Sequence, residues 1–326
     1  MNEHIKPMYE LEFPAPVLST EKNSGPTLVI ALQGYADAGH AVDASSEHLL
    51  AALEHRPVVS FNNDEFIDYR SRRPVVTLDH NSLAEIDDLH LGIHAVHDNA
   101  EQSFLLLSGP EPDLRWTAFS EVVGDLVERY NVSQTVCLYA APMAVPHTRP
   151  LMISAHGNDH SLFGSHHRMD ARFQIPGSAA LYIERELVKR GCNVVGFTAH
   201  VPHYVSASAY PQATLQLLEA VAEVAQLELP LRTLEEDAAK VALQIEEQMA
   251  QSHEVSTVVE LLEQQYDEAM ARYEKEQQQQ ELESETDTVV VDIDPNEMPS
   301  GEELGEEFEK FLADLDSPED PEHPQI

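Results

Sequence analysis

The strongest constraint on the fold is the alternation of short apolar runs with amphipathic segments over the first 230 residues. The run TLVIALQ at 27–33 is apolar almost throughout, as expected for a strand covered on both faces. The segment at 38–55 follows it with apolar residues at helical spacing. Further strands are predicted at 57–61, 103–108, 134–140 and 192–201, and further helices at 116–130 and 178–191. This alternation predicts an α/β fold with a mostly parallel sheet.

Two segments of different composition follow this α/β region. Between 231 and 280, apolar residues recur every three to four positions without Gly or Pro, which predicts two helices broken near Ser252-His253. Residues 281–326 are rich in Gln, Glu and Asp, and we expect most of them to be disordered, with a short amphipathic helix at 301–316. The predicted domains are therefore 1–230, 231–280 and 281–326.

Charge and hydropathy disfavour several classes of partner. The formal net charge is −39, and the last 46 residues contain 17 acidic residues and one basic residue. Because the chain has no basic stripe, a nucleic-acid partner is disfavoured. No apolar run approaches the roughly 20 residues of a membrane span. The N-terminus also lacks the pattern of a signal peptide, so we expect a cytoplasmic protein without membrane contact.

The loop GYADAG at 34–39 follows the first predicted strand, where α/β proteins place ligands. Gly34 and Gly39 match the start of a phosphate-binding loop, but the Lys-Ser/Thr pair that would complete it is absent. A nucleotide site is therefore disfavoured. Asp37 either caps the following helix or contributes to a small polar pocket.

Three further polar loops follow predicted strands, namely SGPEPDLRW at 108–116, VPHTRP at 145–150 and TAHVPHYV at 198–205. GPEPDLRW contains Glu111, Arg115 and Trp116, and an arginine at a helix start is expected to pair with Glu111 or another acid. Since parallel strands end at one edge of a sheet, we expect the loops to form one polar cluster, in which Arg149 pairs with Asp37 or Glu111. The candidate cluster comprises Gly34, Asp37, Gly39, Glu111, Arg115, Trp116, His147, Thr148, Arg149, Gly177, Ser178, His203 and Tyr204.

The sequence leaves three roles open for this cluster: a structural network, a small-ligand site, or catalysis. Histidine beside arginine and acids suits acid–base chemistry, but no G-x-S-x-G nucleophile motif is present. Ser178 is either a helix N-cap or part of an anion-binding helix start. The four histidines between 156 and 167 could suggest a zinc site, but no HExxH pattern occurs in the sequence. We therefore favour the interpretation that they are exposed loop histidines. We predict no metal and no cofactor.

Seven motifs, in this order, resemble the proteasome assembly chaperone 2 family in its bacterial branch. They are GYADAG, RSRRPVV, GPEPDLRW, PHTRP, IPGSAAL, VPHYVSASAYPQATLQLL and LLEQQYDEA, and the resemblance covers residues 15–280. It implies a three-layer α/β domain similar to the phosphorylase/hydrolase-like fold, a helical C-terminal extension and self-association.

For function, this resemblance implies a chaperone-like or scaffold protein that acts through protein–protein contacts. Its partners would be further copies of the chain, in a trimer or another small oligomer, together with a protein partner. The alternative is a binding protein or enzyme for an anionic or nucleoside-like small molecule. That alternative requires a pocket at the carboxyl ends of the strands, lined by Asp37, Arg115, His147 and Arg149.

Overall fold

The computed structural model describes residues 7–13, 25–86, 89–168, 172, 174–249 and 253–286. The strands are β1 (Tyr9–Leu11), β2 (Leu28–Gln33), β3 (His55–Phe61), β4 (Val76–Asp79), β5 (Ser82–Ile86), β6 (Gly92–His97), β7 (Ser103–Pro110), β8 (Thr135–Met143), β9 (Ile153–Gly157), β10 (His167–Arg168) and β11 (Val194–Pro202). The helices are α1 (Ala41–Ala52), α2 (Asn63–Phe66), α3 (Trp116–Arg129), α4 (Ala179–Lys189), α5 (Pro211–Ala225), α6 (Arg232–Met249) and α7 (His253–Thr286). The helix predicted at 301–316 lies outside the described residues.

Nine strands form one sheet in the order β1-β3-β6-β7-β2-β8-β11-β9-β10. The four central strands β7, β2, β8 and β11 are parallel, which confirms the α/β prediction. Antiparallel pairing joins β1 to β3, β3 to β6, β6 to β7 and β9 to β11. The turn from β6 to β7 is too short for a crossover, and Asp98 closes it by accepting hydrogen bonds from the amides of Ala100 and Gln102.

Helices cover both faces of the sheet, so the domain has three layers. Along β2, Leu28, Ile30 and Leu32 pack against α3 and α4, whereas Val29 and Ala31 pack against α1, α5 and α6. Both sets of side chains are buried, which explains why the strand is apolar throughout. Full burial of each large apolar side chain contributes about 1.5–3 kcal/mol.

The C-terminal helices lie where the sequence predicts two helices. Helix α6 buries Leu234, Ala238 and Ile245 in the same apolar core as α1 and α5. Val259 and Leu262 of α7 are also buried. Among the described residues, those up to Glu268 form one compact unit, and the remainder of α7 belongs to a second unit. Within the described residues, none of the helices combines the length and the hydropathy that crossing a membrane requires.

Candidate functional site

Asp37 binds the first turn of α1. Its Oδ1 accepts a hydrogen bond from the amide of Val42 at 2.7 Å, and its Oδ2 accepts one from the amide of Asp43 at 3.4 Å. Burial raises the pKa of Asp37, and these amide bonds partly offset that effect. The carboxylate therefore satisfies amides that a helix start leaves without partners.

Gly39 joins the turn after β2 to the turn after β11. Its amide donates to the carbonyl of Ser206 at 2.7 Å, and its carbonyl accepts from the amide of Tyr210 at 2.9 Å. The φ angle of Gly39 is +70°, and a Cβ at this position would lie 2.8 Å from Cβ of Tyr210. Both features favour glycine at this position.

The first turn of α4 is filled by side chains of the chain itself. Ser178 is the N-cap, and its hydroxyl accepts from the amide of Leu181 at 3.3 Å. Oε1 of Glu111 accepts from the amide of Ala179 at 2.6 Å, and the absence of a side chain at Gly34 leaves room for this carboxylate. Because Glu111 occupies the position an anionic ligand would take, this helix start is not a free anion site.

Arg115 pairs with Glu65 of α2, and not with Glu111. The carboxylate of Glu111 is bound instead at the start of α4. Of the two predicted possibilities for Arg115, Glu111 or another acid, the structure therefore has the second. The neighbouring Trp116 donates from Nε1 to the carbonyl of Pro112 at 2.5 Å. Its ring packs edge-on against Tyr182 with centroids 5.3 Å apart, and Gly177 lies beside both rings.

Arg149 forms a bidentate ion pair with Asp267 of α7. The Nε–Oδ1 and Nη2–Oδ2 distances are both 2.8 Å, and Nη1 lies 3.2 Å from Oε1 of Glu263. The prediction that Arg149 pairs with Asp37 or Glu111 is therefore wrong. Those two acids bind helix amides of their own, and α7 brings two other acids to Arg149.

Two further contacts fix the same loop to α7. The hydroxyl of Thr148 donates to Glu263, and the hydroxyl of Tyr266 donates to the carbonyl of Pro150 at 2.9 Å. We call this set of contacts between residues 148–150 and α7 the α7 clasp. In this structure the PHTRP loop therefore holds a distant helix.

His147 faces Tyr204 rather than the clasp. Its amide donates to the hydroxyl of Tyr204 at 2.8 Å, and its Nδ1 lies 2.7 Å from the same oxygen. Burial lowers the pKa of His147, which favours the neutral imidazole. His203 packs edge-on against Tyr204 with ring centroids 5.3 Å apart.

The predicted loops therefore share one edge of the sheet but form separate groups. A cavity of about 670 Å³ opens between them, beside the carboxyl end of β8. Among the described residues, its wall includes none of Asp37, Arg115, His147 and Arg149. The lining residues are Tyr35, Ala36, Tyr139, Ala140, Ala141, Pro142, Met143, His156, Arg172, Ile175, Pro176, Ser178, Leu181 and Thr198.

A buried carboxylate lies next to this cavity. The hydroxyl of Tyr139 donates to Oε1 of Glu184 at 2.6 Å, and Nε2 of His156 lies 3.1 Å from Oε2. Burial alone would lower the pKa of His156, but the hydrogen bond and the charge of Glu184 outweigh it and raise this pKa. Burial and the same carboxylate raise the pKa of Tyr139 well above its usual value.

Two neighbours complete the surroundings of Glu184. Cys137 is fully buried, and burial together with the charge of Glu184 raises the pKa of its thiol well above the usual value. This thiol is therefore protonated and unreactive, as expected for a core cysteine. Gly196 lies against the ring of His156 and the Glu184 carboxylate, where a Cβ would overlap both.

The sequence analysis missed Glu184 and misplaced His156. His156 lies in β9 and His167 in β10, and both are partly buried, as is His166. The interpretation as exposed loop histidines is therefore wrong for these three, and of the four only His160 is exposed. Among the described residues, no group of three or more His, Cys, Asp or Glu side chains is arranged to hold a metal ion. The sequence did contain one signal that Glu184 is buried, because this residue falls at helical spacing from the buried Ala180 and Leu187 of α4.

Strands β4 and β5 form a separate two-stranded ribbon with one apolar face. In its register Val76 lies opposite Ile86 and Leu78 opposite Leu83, whereas the other face is polar. These four side chains are between 47% and 71% exposed. An isolated two-stranded ribbon is marginally stable in water. We call this element the β4–β5 ribbon.

Comparison with known proteins places the chain in a family. The model of the PAC2 family matches residues 31–249, and the chain belongs to that family. The resemblance seen in the motifs is therefore confirmed. No curated protein matches the sequence.

Solved structures support the same assignment. A protein of unknown function from Corynebacterium glutamicum is 57% identical, with a TM-score of 0.79 over 82% of this chain and 99% of that chain. A protein of unknown function from Mycobacterium tuberculosis is 47% identical, with a TM-score of 0.78 over 83% of this chain and 92% of that chain. A proteasome-assembly chaperone homologue from Mycobacterium tuberculosis is 29% identical, with a TM-score of 0.66 over 72% of this chain and 99% of that chain.

Proposed function

We propose that this protein is a cytoplasmic assembly factor that acts through protein–protein contacts and works as a homo-oligomer. Membership of the PAC2 family supports an assembly role. The Mycobacterium tuberculosis relative described as a proteasome-assembly chaperone homologue supports the same role. The predicted trimer or other small oligomer is part of this proposal.

The observation that carries the proposal is the β4–β5 ribbon. Its apolar face exposes Val76, Leu78, Leu83 and Ile86 to water in the single chain. Contiguous exposed apolar side chains with a polar surround are typical of a protein contact surface. Burying this face against a partner would also stabilise the ribbon, which has only two strands.

Local charge can orient a second copy of the chain on this face, against the overall repulsion between two chains of net charge −39. Arg70 and Arg73 are exposed just before the ribbon, in a protein with a formal net charge of −39. Residues 231–280 contain 12 acidic and four basic residues, so each copy offers an acidic surface to these arginines. Complementary charge of this kind orients partners during association.

We further propose that residues 231–280 extend the contact surface beyond the α/β domain at 1–230, and that 281–326 keep the assembly soluble. Leu243, Val258 and Leu261 are large exposed apolar residues in the helical segment. The apolar spacing in the sequence suggests Val255, Val258 and Leu262 as contact residues, but Leu262 is buried within the chain and does not belong to this surface. The side chain of Val255 lies outside the described residues.

Light-scattering mass measurement during size-exclusion chromatography tests the ribbon. Leu78→Asp places a charge on the apolar face, and we expect it to reduce the measured mass to that of a smaller species. Thr77→Asp is the matched control, because it adds the same charge at the neighbouring position, on the polar face of the ribbon. Equal masses for both variants and the wild type would contradict the proposal.

A further inference from the structure

The cavity beside β8 opens where two neighbouring strands of the sheet separate. The parallel ladder between β2 and β8 ends at Ile30 and Cys137, whereas β8 itself continues to Met143. Tyr35 and Ala36, just after β2, line the cavity together with the carboxyl end of β8. The cavity therefore lies in the crevice between the carboxyl ends of these two strands.

The same two strands are the point at which the chain changes direction in the sheet. After β2 the chain continues through α1 to β3, on the β7 side of β2, and after β8 it reaches β11 through α4, on the opposite side. Helices α1 and α4 pack on opposite faces of the sheet. In open α/β sheets, ligands bind in the crevice at such a point, outside the carboxyl ends of the strands. The topology therefore indicates a ligand site here independently of the size of the cavity.

The size and the wall of the cavity suit a small molecule. Its volume of about 670 Å³ lies in the range of sites that enclose most of a small ligand. Apolar side chains, among them Pro142, Met143 and Leu181, form most of the wall. Tyr35 and Ile175 in the lining are 72% and 60% exposed, so apolar surface at the cavity faces water in the single chain. Covering this surface with an apolar ligand is favourable.

Polar side chains of the wall are bound within the chain itself. The hydroxyl of Tyr139 donates to Glu184 at 2.6 Å, and Nε2 of His156 lies 3.1 Å from the same carboxylate. Nδ1 of His156 is buried, so a ligand cannot reach it. The hydroxyl of Ser178 accepts from the amide of Leu181. A charged ligand group would lose its water here without gaining a strong partner from these side chains, which is unfavourable.

The charges near the cavity oppose ligands of either sign. The carboxylates of Glu111 and Glu184 bind Ala179 and Tyr139, at or next to the wall, and would repel an anion. Arg172 in the lining would repel a cation. Because Arg172 is exposed, water weakens its attraction for an anion. An uncharged ligand meets neither repulsion.

We propose that this crevice binds an uncharged, mostly apolar small molecule, held by contact with the apolar wall and without an ion pair. This site is additional to the assembly role. The cavity lining and the β4–β5 ribbon share no residues, so each proposal can fail without the other.

Fluorescence titration of the full chain tests the site with a matched pair of probes. N-phenyl-1-naphthylamine is uncharged, and 8-anilinonaphthalene-1-sulfonate has the same ring skeleton with one added negative charge. We expect saturable binding of the uncharged probe, at least about tenfold tighter than binding of the sulfonate, because this cavity does not compensate the burial of a charge.

Two variants that fill the cavity from different elements locate the binding. Ala141→Trp adds a ring from β8 and Ala36→Trp adds one from the loop after β2, and each should abolish binding of the uncharged probe. Ala144→Trp is the control, because Ala144 is exposed one residue after β8 and is not part of the lining. Leu78→Asp in the β4–β5 ribbon should also leave this binding unchanged, which separates the cavity from the exposed apolar face of the ribbon. A melting curve for each variant checks that it is folded.

Three outcomes would overturn the proposal. The first is no saturable binding of N-phenyl-1-naphthylamine up to its solubility limit, and the second is equal or tighter binding of the sulfonate. The third is wild-type affinity for the uncharged probe in folded Ala141→Trp or Ala36→Trp. The first two are measured on the wild-type protein alone, so they decide the proposal even if both variants fail to fold.

Discussion

Arg149 and Asp267 lie 118 residues apart in the sequence, yet their side chains form a bidentate ion pair with both N–O distances at 2.8 Å. The arginine follows β8 in a proline-flanked loop, and the aspartate lies on α7. The motif that looks most like part of a reactive site in the sequence is therefore a contact that holds a C-terminal helix.

Loss of the arginine should loosen α7. In Arg149→Ala, we expect faster amide hydrogen exchange across residues 257–268, because the clasp loses its bidentate contact. Arg232→Ala is the control, since Arg232 pairs with Glu236 within α6 and does not contact the PHTRP loop. Equal exchange of α7 in the two variants would show that the ion pair does not hold the helix.

Gly39→Ala should be more destabilising than Gly191→Ala. Both glycines have positive φ angles, +70° and +74°, so alanine is strained by about 1–2 kcal/mol at either position. At position 39 the new Cβ would also lie 2.8 Å from Cβ of Tyr210, whereas at position 191 it would have no neighbour within 4 Å. Urea denaturation measures both variants, and equal losses of stability would mean that this contact relaxes without cost.

Ser178→Ala should reduce stability by about 1 kcal/mol, the usual effect of losing a helix N-cap. Ser208→Ala is the control, because Ser208 is exposed in a turn and should change stability by less than about 0.5 kcal/mol. Chemical denaturation compares the two. A Ser178→Ala variant as stable as Ser208→Ala would indicate that Glu111 alone satisfies the start of α4.

Acid should destabilise the protein through His94. This residue is buried, and burial together with the charges of His90 and His55 lowers its pKa from 6.5 to about 4. Between these two values the unfolded chain binds more protons than the folded chain, so stability falls as the pH falls from 6.5 towards 4. The loss from His94 is on the order of 3 kcal/mol.

His94→Leu tests this pH dependence. The variant removes the titrating group, and Nδ1 of His94 has no hydrogen-bond partner to lose among the described residues. We expect the melting temperature of the variant to fall less steeply between pH 7 and pH 4. Some slope should remain, because burial also lowers the pKa of His200 to about 4. Parallel curves would contradict the role of His94.

The central strands could be predicted because each strand shows its burial in its own residues. The run at 27–33 is apolar on both faces, and it corresponds to β2 at the centre of the sheet. The ribbon was missed because Val76 and Leu78 alternate with polar residues over only four positions. Element β9 was missed because its five residues, ISAHG, have little strand character.

The contacts of the site were harder to predict than its location. That the strand-end loops share one edge follows from parallel pairing, a property of the whole sheet. The acid that pairs with Arg149 lies on α7, more than 100 residues away in the sequence. The residues around Arg149 therefore contain no local pattern that predicts this partner. The Glu184–His156 pair likewise joins a helix to a strand through tertiary packing.

The most direct test of the central claim is amide hydrogen exchange of residues 75–86 as a function of protein concentration. If copies of the chain associate through the β4–β5 ribbon, its amides should become more protected as the concentration rises, while those of the buried strand β2 stay unchanged. Exchange in the ribbon that is fast and independent of concentration, in a sample shown by light scattering to be oligomeric, would contradict the account.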